Sequence, residues 1–160
     1  MTSSPDLHKL LAEGGLADKA ARIDDHLARL QWGSAFVIVG ISGSAIVAIA
    51  PLFRALPTGK ELAFFRKLLE HNAYMGGMAS FALQPDGWVV LHAGRAVKGI
   101  DGAELATMVA AVGKFADQFD DQLIAEFYAE QREATNQAPT GRVDKPVGVE
   151  ASGAMLPQTD

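Results

Sequence analysis

The stretch AFVIVGISGSAIVAIAPLF, residues 35–53, decides the fold. It is 19 residues long, carries no charge and is bracketed by Arg29 and Arg54. Read as one helix, it approaches the roughly 20 apolar residues that a membrane span requires. Read as two strands, it divides into the β-branched runs Phe36-Val37-Ile38-Val39 and Ile46-Val47-Ala48-Ile49, with Ser42-Gly43-Ser44 where a turn is needed. The hairpin reading is preferred, because the segments on either side are amphipathic, as a soluble core requires and a single anchor does not.

Working outward, Leu16, Ala20, Ile23, Leu27 and Leu30 recur at steps of four and three and predict a helix running to about Gln31. A shorter helical piece with Leu7, Leu10 and Leu11 precedes it and is cut off by Gly14-Gly15. Beyond the hairpin, Pro57 and the box Thr58-Gly59-Lys60-Glu61 predict a second helix start, the threonine and glutamate each satisfying a backbone N–H. This helix carries Leu62, Phe64, Phe65, Leu68 and Leu69, an arc of about 160°, wider than the roughly 100° stripe that one core demands. The surplus points to a second surface to cover. Gly76-Gly77 reads as the stop of this helix and the entry to a strand.

A second hairpin, Met78 to Leu83 and Trp88 to Ala93, is joined by Gln84-Pro85-Asp86-Gly87, with proline presetting φ and glycine free to take positive φ. Period-2 alternation puts Phe81, Leu83, Val89 and Leu91 on the helix side and Met78, Ser80, Trp88, Val90 and His92 on the other. With helices on one face only, Trp88 and Val90 form an exposed apolar patch of the kind that marks an interaction site; the alternative is a cover from the first helix or the C-terminal segment. The third helix is expected from about Gly102 to Ala129, with Leu105, Met108, Val109, Val112, Phe115, Ala116, Phe119, Leu123 and Phe127 in period. At 1.5 Å per residue that is about 40 Å, long enough that its last turns are expected to project or meet a partner.

From Gln131 to Asp160 there is no aromatic residue, while proline and glycine recur. Residues 1–130 therefore read as one domain and 131–160 as a polar, disordered tail. The expected class is α+β, an antiparallel sheet of two hairpins with three helices in the order α-ββ-α-ββ-α.

Composition narrows function. The 160 residues have a net charge of -5 and no cysteine, which removes disulfides, thiolate metal sites and cysteine nucleophiles. The 14 basic residues are scattered over an acidic chain, which argues against nucleic acid. Met1 to Asp6 lacks the basic region and apolar run of a signal peptide, so a cytoplasmic location without membrane insertion is expected.

Catalytic motifs fail on inspection. Gly40-Ile41-Ser42-Gly43-Ser44 lacks the final glycine of a nucleophile elbow and enters a strand, not a helix. Gly59-Lys60 has neither the upstream glycine nor the following hydroxyl residue of a phosphate loop. His8, His26, His71 and His92 are dispersed, Asp24-Asp25-His26 does not converge, and Asp117, Asp120 and Asp121 read as a charged outer face. No catalytic, cofactor or metal residue is assigned; a small metal protein or enzyme using His26 or the Asp117 to Asp121 cluster is the contrasting reading.

Pro51-Leu52, Leu56-Pro57, Leu68-Leu69 with Asn72, the strand Ala79 to Leu83, Asp86-Gly87, Val89-Val90-Leu91, and Leu105 through Phe115-Ala116-Asp117 together resemble the Tir-chaperone (CesT-like) family of type III secretion chaperones and the related YbjN-like proteins, over roughly residues 17 to 124. The resemblance implies a homodimer that holds the N-terminal segment of a secreted effector, or another peptide client, in extended form, without a cofactor. It implies a dimer seam at Phe64 and Leu68 and client contacts at Met78, Trp88 and Val90. A YbjN-like stress or signalling regulator without an effector client is the alternative. The long polar tail and the Gly14-Gly15 break depart from the family pattern.

Overall fold

The computed structural model describes residues 6–131. The expected tail, 131–160, lies outside the described residues from position 132 on. The elements are α1 (Leu7–Glu13), a 3-10 turn (Ala17–Lys19), β1 (Ala20–Arg22), β2 (Leu27–Trp32), β3 (Ala35–Ser42), β4 (Ala45–Phe53), α2 (Glu61–Met75), β5 (Ser80–Leu83), β6 (Val89–Ala96) and α3 (Gly102–Leu123), which continues as a π turn over Ile124–Tyr128. The strands form one antiparallel sheet in the order β1-β2-β3-β4-β6-β5. The α+β class is as expected, but the sheet has six strands where two hairpins supply four. Among the described residues no helix is long and apolar enough to cross a membrane.

The undivided helix expected from Leu16 to Gln31 does not form. In its place are β1 and β2, and the helix that precedes the sheet is the short α1. The reason is visible in β2, where Ala28 and Leu30 are buried and Arg29 and Gln31 exposed, an alternation of period 2. Ile23, counted towards a helical stripe, stands 53% exposed in the β1–β2 loop. Gly33-Ser34 joins Trp32 to Ala35 as a two-residue hairpin loop, just as Gly43-Ser44 joins Ser42 to Ala45; both glycines have φ of 55° at the first loop position. The first loop is held down by α3, since the Ser34 N–H and hydroxyl both donate to Asp117 Oδ1, at 2.8 and 2.9 Å. Those bonds, the backbone one first, keep the Asp117 carboxyl below its ordinary pKa.

One face of the sheet carries the core. Leu30, Val37, Val39, Ile46, Ala48, Val89 and Leu91 meet Leu105, Val109, Val112, Ala116 and Leu123 of α3. Pro51 removes a ladder donor from the internal strand β4, and the register shifts between Pro51 and Phe53. The shift returns Phe53 to the inner face, where its ring stacks on Tyr128 at 4.8 Å. Two close approaches depend on missing side chains. A Cβ at Gly113 would lie within the Trp32 indole, and one at Gly102 would collide with Glu13 and Gly14 where α1 crosses α3.

The C-terminal turns of α3 do not project. Phe127 packs edge-on against Phe64 at 5.2 Å, and the Tyr128 hydroxyl donates to the Ala55 carbonyl at 2.7 Å. Burial of that phenol pushes its pKa up to about 12. The expected capping box does not form: the helix starts at Glu61 with Lys60 at its N-cap and no side-chain cap, the Gly59 N–H donates to Glu61 Oε1, and the Thr58 hydroxyl accepts from Gln131. Gly76, with φ of 60°, ends α2 as the sequence predicts.

Candidate functional site

The face of the sheet opposite the helices is the first candidate surface. Strand register fixes which side chains share it, because directly paired residues point the same way. One row runs Arg29, Ile38, Ile49, His92 and Ser80 across five strands. A second contains Pro51, Val90 and Ala82, with Phe36 opposite Gln31 at its β2 end. A third contains Leu27, Gly40, Val47 and Gly94. Phe36, Ile38, Val47, Ile49 and Pro51 are half-buried by their neighbours within the sheet. A sheet with one solvated face ordinarily alternates apolar-in with polar-out, but this one is apolar on both sides across its central strands.

Two ionisable groups punctuate that face. His92 lies in its central row, and burial lowers its pKa, so the ring is neutral near pH 7. Arg29 stands at the β2 side with its guanidinium 4.4 Å from the centroid of the Phe36 ring. No aspartate or glutamate lies in any of these rows.

The outer side of α2 is the second surface. The wide apolar arc of this helix splits in two. Phe64, Leu68 and Met75 turn inward, while Leu62 and Leu69, seven residues apart and thus on one face, are 85% and 68% exposed. Phe65 sits between the two sets, half-buried. The inner side is tied to α3 by rings and charge: His71 stacks on Phe119 at 4.1 Å, and Lys67 pairs with Glu126 at 3.4 Å. At the end of the helix, Asn72 treats β5 as a neighbouring strand would. Its Oδ1 accepts from the Phe81 N–H at 2.6 Å and its amide donates to the Phe81 carbonyl at 3.4 Å. The outer edge of β5 is thereby occupied at its centre.

By sequence, no family model matches the chain and no curated protein matches it. Its structure is similar to one chain of the heterodimeric ExoU–SpcU complex from the type III secretion system of Pseudomonas aeruginosa, with a TM-score of 0.55 and 19% identity, covering 72% of this chain and 95% of that one. It is also similar to a chain of the ExsC–ExsE complex, with a TM-score of 0.55 and 20% identity over 74% of this chain and 97% of that one. A chain from the complex of the Yersinia pestis type III secretion chaperone SycH with a fragment of YscM2 aligns at a TM-score of 0.48 and 19% identity, over 70% and 94%. This chain shares the fold of those chains of the ExoU–SpcU and ExsC–ExsE complexes.

On this fold, the residues singled out from sequence fall into three environments. Val90 lies on the open face but is only 2% exposed, flanked across the sheet by Pro51 and Ala82, and Trp88, half-buried, immediately precedes β6. Met78 is exposed just before β5, at the far end of that edge from Trp88. Phe64 and Leu68 are core residues: Phe64 is fully buried, ringed by Phe53, Phe127 and Tyr128, and so is closed to an outer contact. The exposed apolar residues of α2 are its neighbours Leu62 and Leu69. The most prominent open-face residues, Phe36, Ile38, Val47 and Ile49, escape a reading of the sequence because both strands of the first hairpin form one uninterrupted apolar run. Their signal is the second half of the alternation: in an internal strand apolar at every position, one set of alternate residues must face away from the helices.

Proposed function

We propose that this protein is a non-enzymatic, homodimeric cytoplasmic chaperone that holds an extended segment of a secreted effector against the open face of its sheet. The observation that carries the reading is that face: an apolar surface spanning the central strands, uncovered by α1, α2 or α3, on a type III secretion chaperone fold. Both similar structures at a TM-score of 0.55 are complexes of two different proteins. A chain kept extended cannot bury its own apolar side chains, and a sheet face offers alternate pockets that do so without requiring it to fold. Self-association uses the outer stripe of α2, where Leu62, Phe65 and Leu69 would meet the same stripe of a second copy about a two-fold axis.

The test is recovery of the tagged full chain from its native cell under secreting conditions, beside Ile49→Asp and Phe36→Ser variants checked for an unchanged circular dichroism spectrum. The reading expects a secreted protein to copurify through its N-terminal region and to be lost from both variants. Copurification that survives both substitutions would place the client elsewhere, and recovery of the chain alone would count against a chaperone.

A further inference from the structure

Among the described strand residues, the open face contains one permanent charge, Arg29, and no carboxylate to balance it. Arg29 takes part in none of the ion pairs among the described residues, and no acidic residue shares its face. Its guanidinium is laid against the Phe36 ring, a contact that restricts the side chain while leaving its five N–H donors without a carboxylate. An arginine stacked in this way is prepared to accept a carboxylate in the two-pronged geometry that a lysine cannot offer. Apolar neighbours on the same row, Ile38 and Ile49, lower the local polarity that a docked chain would lower further. A second copy seated face to face would bring another Arg29 and no acid, so self-association does not satisfy the site.

We infer that the occupant of the open face is an extended apolar segment carrying one acidic residue, whose carboxylate is held by Arg29 and thereby sets the position of the segment on the sheet. The inference rests on the reading that this face holds a client, and adds the chemistry by which the client is recognised. Along the segment, apolar side chains would meet Phe36, Ile38, Ile49 and Val47, and the acid would lie at the β2 side.

The test uses fluorescently labelled 12-residue peptides of alternating leucine and threonine, each with a single Glu at a successive position, and the same set with Gln. Binding to the full chain is read by anisotropy at low salt and near pH 7.5, where His92 is neutral. At one register the Glu peptide is expected to bind about tenfold more tightly than its Gln counterpart. Arg29→Gln should erase that difference, and Arg29→Glu should transfer the preference to a Lys peptide. Equal binding of the Glu and Gln sets at every register overturns the inference while leaving the client-binding reading intact. The inference is overturned in the same way if Arg29→Gln weakens both sets alike, because the arginine then merely shields the Phe36 ring. If no peptide binds, or if peptides only dissociate a sheet-to-sheet dimer, the client reading of this face fails and the inference with it.

Discussion

Removing the Phe64 ring separates the inside of α2 from its outside. The side chain is fully buried, with ring centroids of Phe127, Tyr128 and Phe53 at 5.2, 5.8 and 6.0 Å in edge-on geometry, and Phe65 at 6.2 Å. Phe64→Ala deletes the apolar area and leaves a cavity between α2, β4 and the end of α3, a change that costs about 3–5 kcal/mol in well-packed cores. Three edge-on contacts of roughly 0.5–1.5 kcal/mol each favour the upper half of that range, with about 4 kcal/mol as the working value. For a domain of this size, whose whole stability is of the order of 5–15 kcal/mol, that is about a quarter or more of the total. Leu69→Asp, on the outer stripe of the same helix, replaces a side chain 68% exposed and is expected to change protomer stability by less than about 0.5 kcal/mol.

The assay is urea unfolding followed by tryptophan fluorescence, run at two protein concentrations tenfold apart so that self-association is separated from protomer stability. Phe64→Ala should lower the midpoint strongly at both concentrations with little change in slope. Leu69→Asp should keep the dilute-protein midpoint and halve the mass found by light scattering. A Phe64→Ala protein with the wild-type midpoint and a halved mass would refute the assignment of this ring to the core.

Gly113→Ala should cost about 1–3 kcal/mol and shift the tryptophan emission to the red, since the new methyl group must displace Trp32 from α3; an unshifted spectrum would show that the indole is not held there. Asn72→Leu should destabilise by about 1–3 kcal/mol and speed amide exchange at Phe81, because the N–H and C=O that Asn72 serves lose their partner; unchanged exchange would mean that another group seals the β5 edge. Burial first, then the Lys67 charge, lowers the His71 pKa against the opposing pull of Glu126 and Glu70, and burial alone lowers that of His92. A histidine whose pKa is lower folded than unfolded contributes stability that is complete above its unfolded value of about 6.5 and is lost as pH falls through the folded value. The urea midpoint should therefore drop between about pH 7.5 and about pH 5, and His71→Phe, which keeps the stack on Phe119, should remove part of the drop; a variant as acid-sensitive as the wild type would exclude His71 as a source.

The elements legible in the sequence are those whose local chemistry and tertiary role agree. Pro85-Asp86-Gly87 makes a turn because proline and glycine suit its dihedrals, and the Gly87 N–H closes it onto the Gln84 carbonyl at 2.9 Å. Gly76 ends α2 for the same kind of reason, and α3 is periodic because one stripe of it crosses the sheet. The segment Leu16 to Gln31 misleads because steps of four and three arise there by mixing residues from different elements. Leu16 belongs to the turn that follows α1, Ile23 to a loop, and Leu27 and Leu30 to opposite faces of β2. Only the partner strand β3 makes the alternation of β2 decisive, and pairing is not a local property. The Gly33-Ser34 loop, identical to Gly43-Ser44 and likewise followed by alanine, is the local sign that a strand precedes it.

The second surface deduced from α2 shows how far such a reading reaches. An arc of about 160° states correctly that one core cannot cover the whole helix, but it is symmetric about its centre and does not say which margin faces in. That choice is made by residues far away in sequence: Phe53, returned to the inner face by the irregularity after Pro51, and Phe127 and Tyr128, brought there by the π turn. These three rings surround Phe64, and once Phe64 is fixed the geometry of the helix leaves Leu62 and Leu69 outside. The open sheet face follows from the same placement. With α1, α2 and α3 gathered on one side, the alternate apolar residues of β3 and β4 have nowhere to turn but outward, and their exposure follows from where the helices pack. A surface specified by the packing behind it responds to substitutions behind it. Gly113→Ala, acting through Trp32 on β2, is therefore expected to disturb the neighbouring Arg29 and Phe36 pair and to weaken peptide binding without touching the open face, whereas a change at exposed Leu62 should leave that binding as it is.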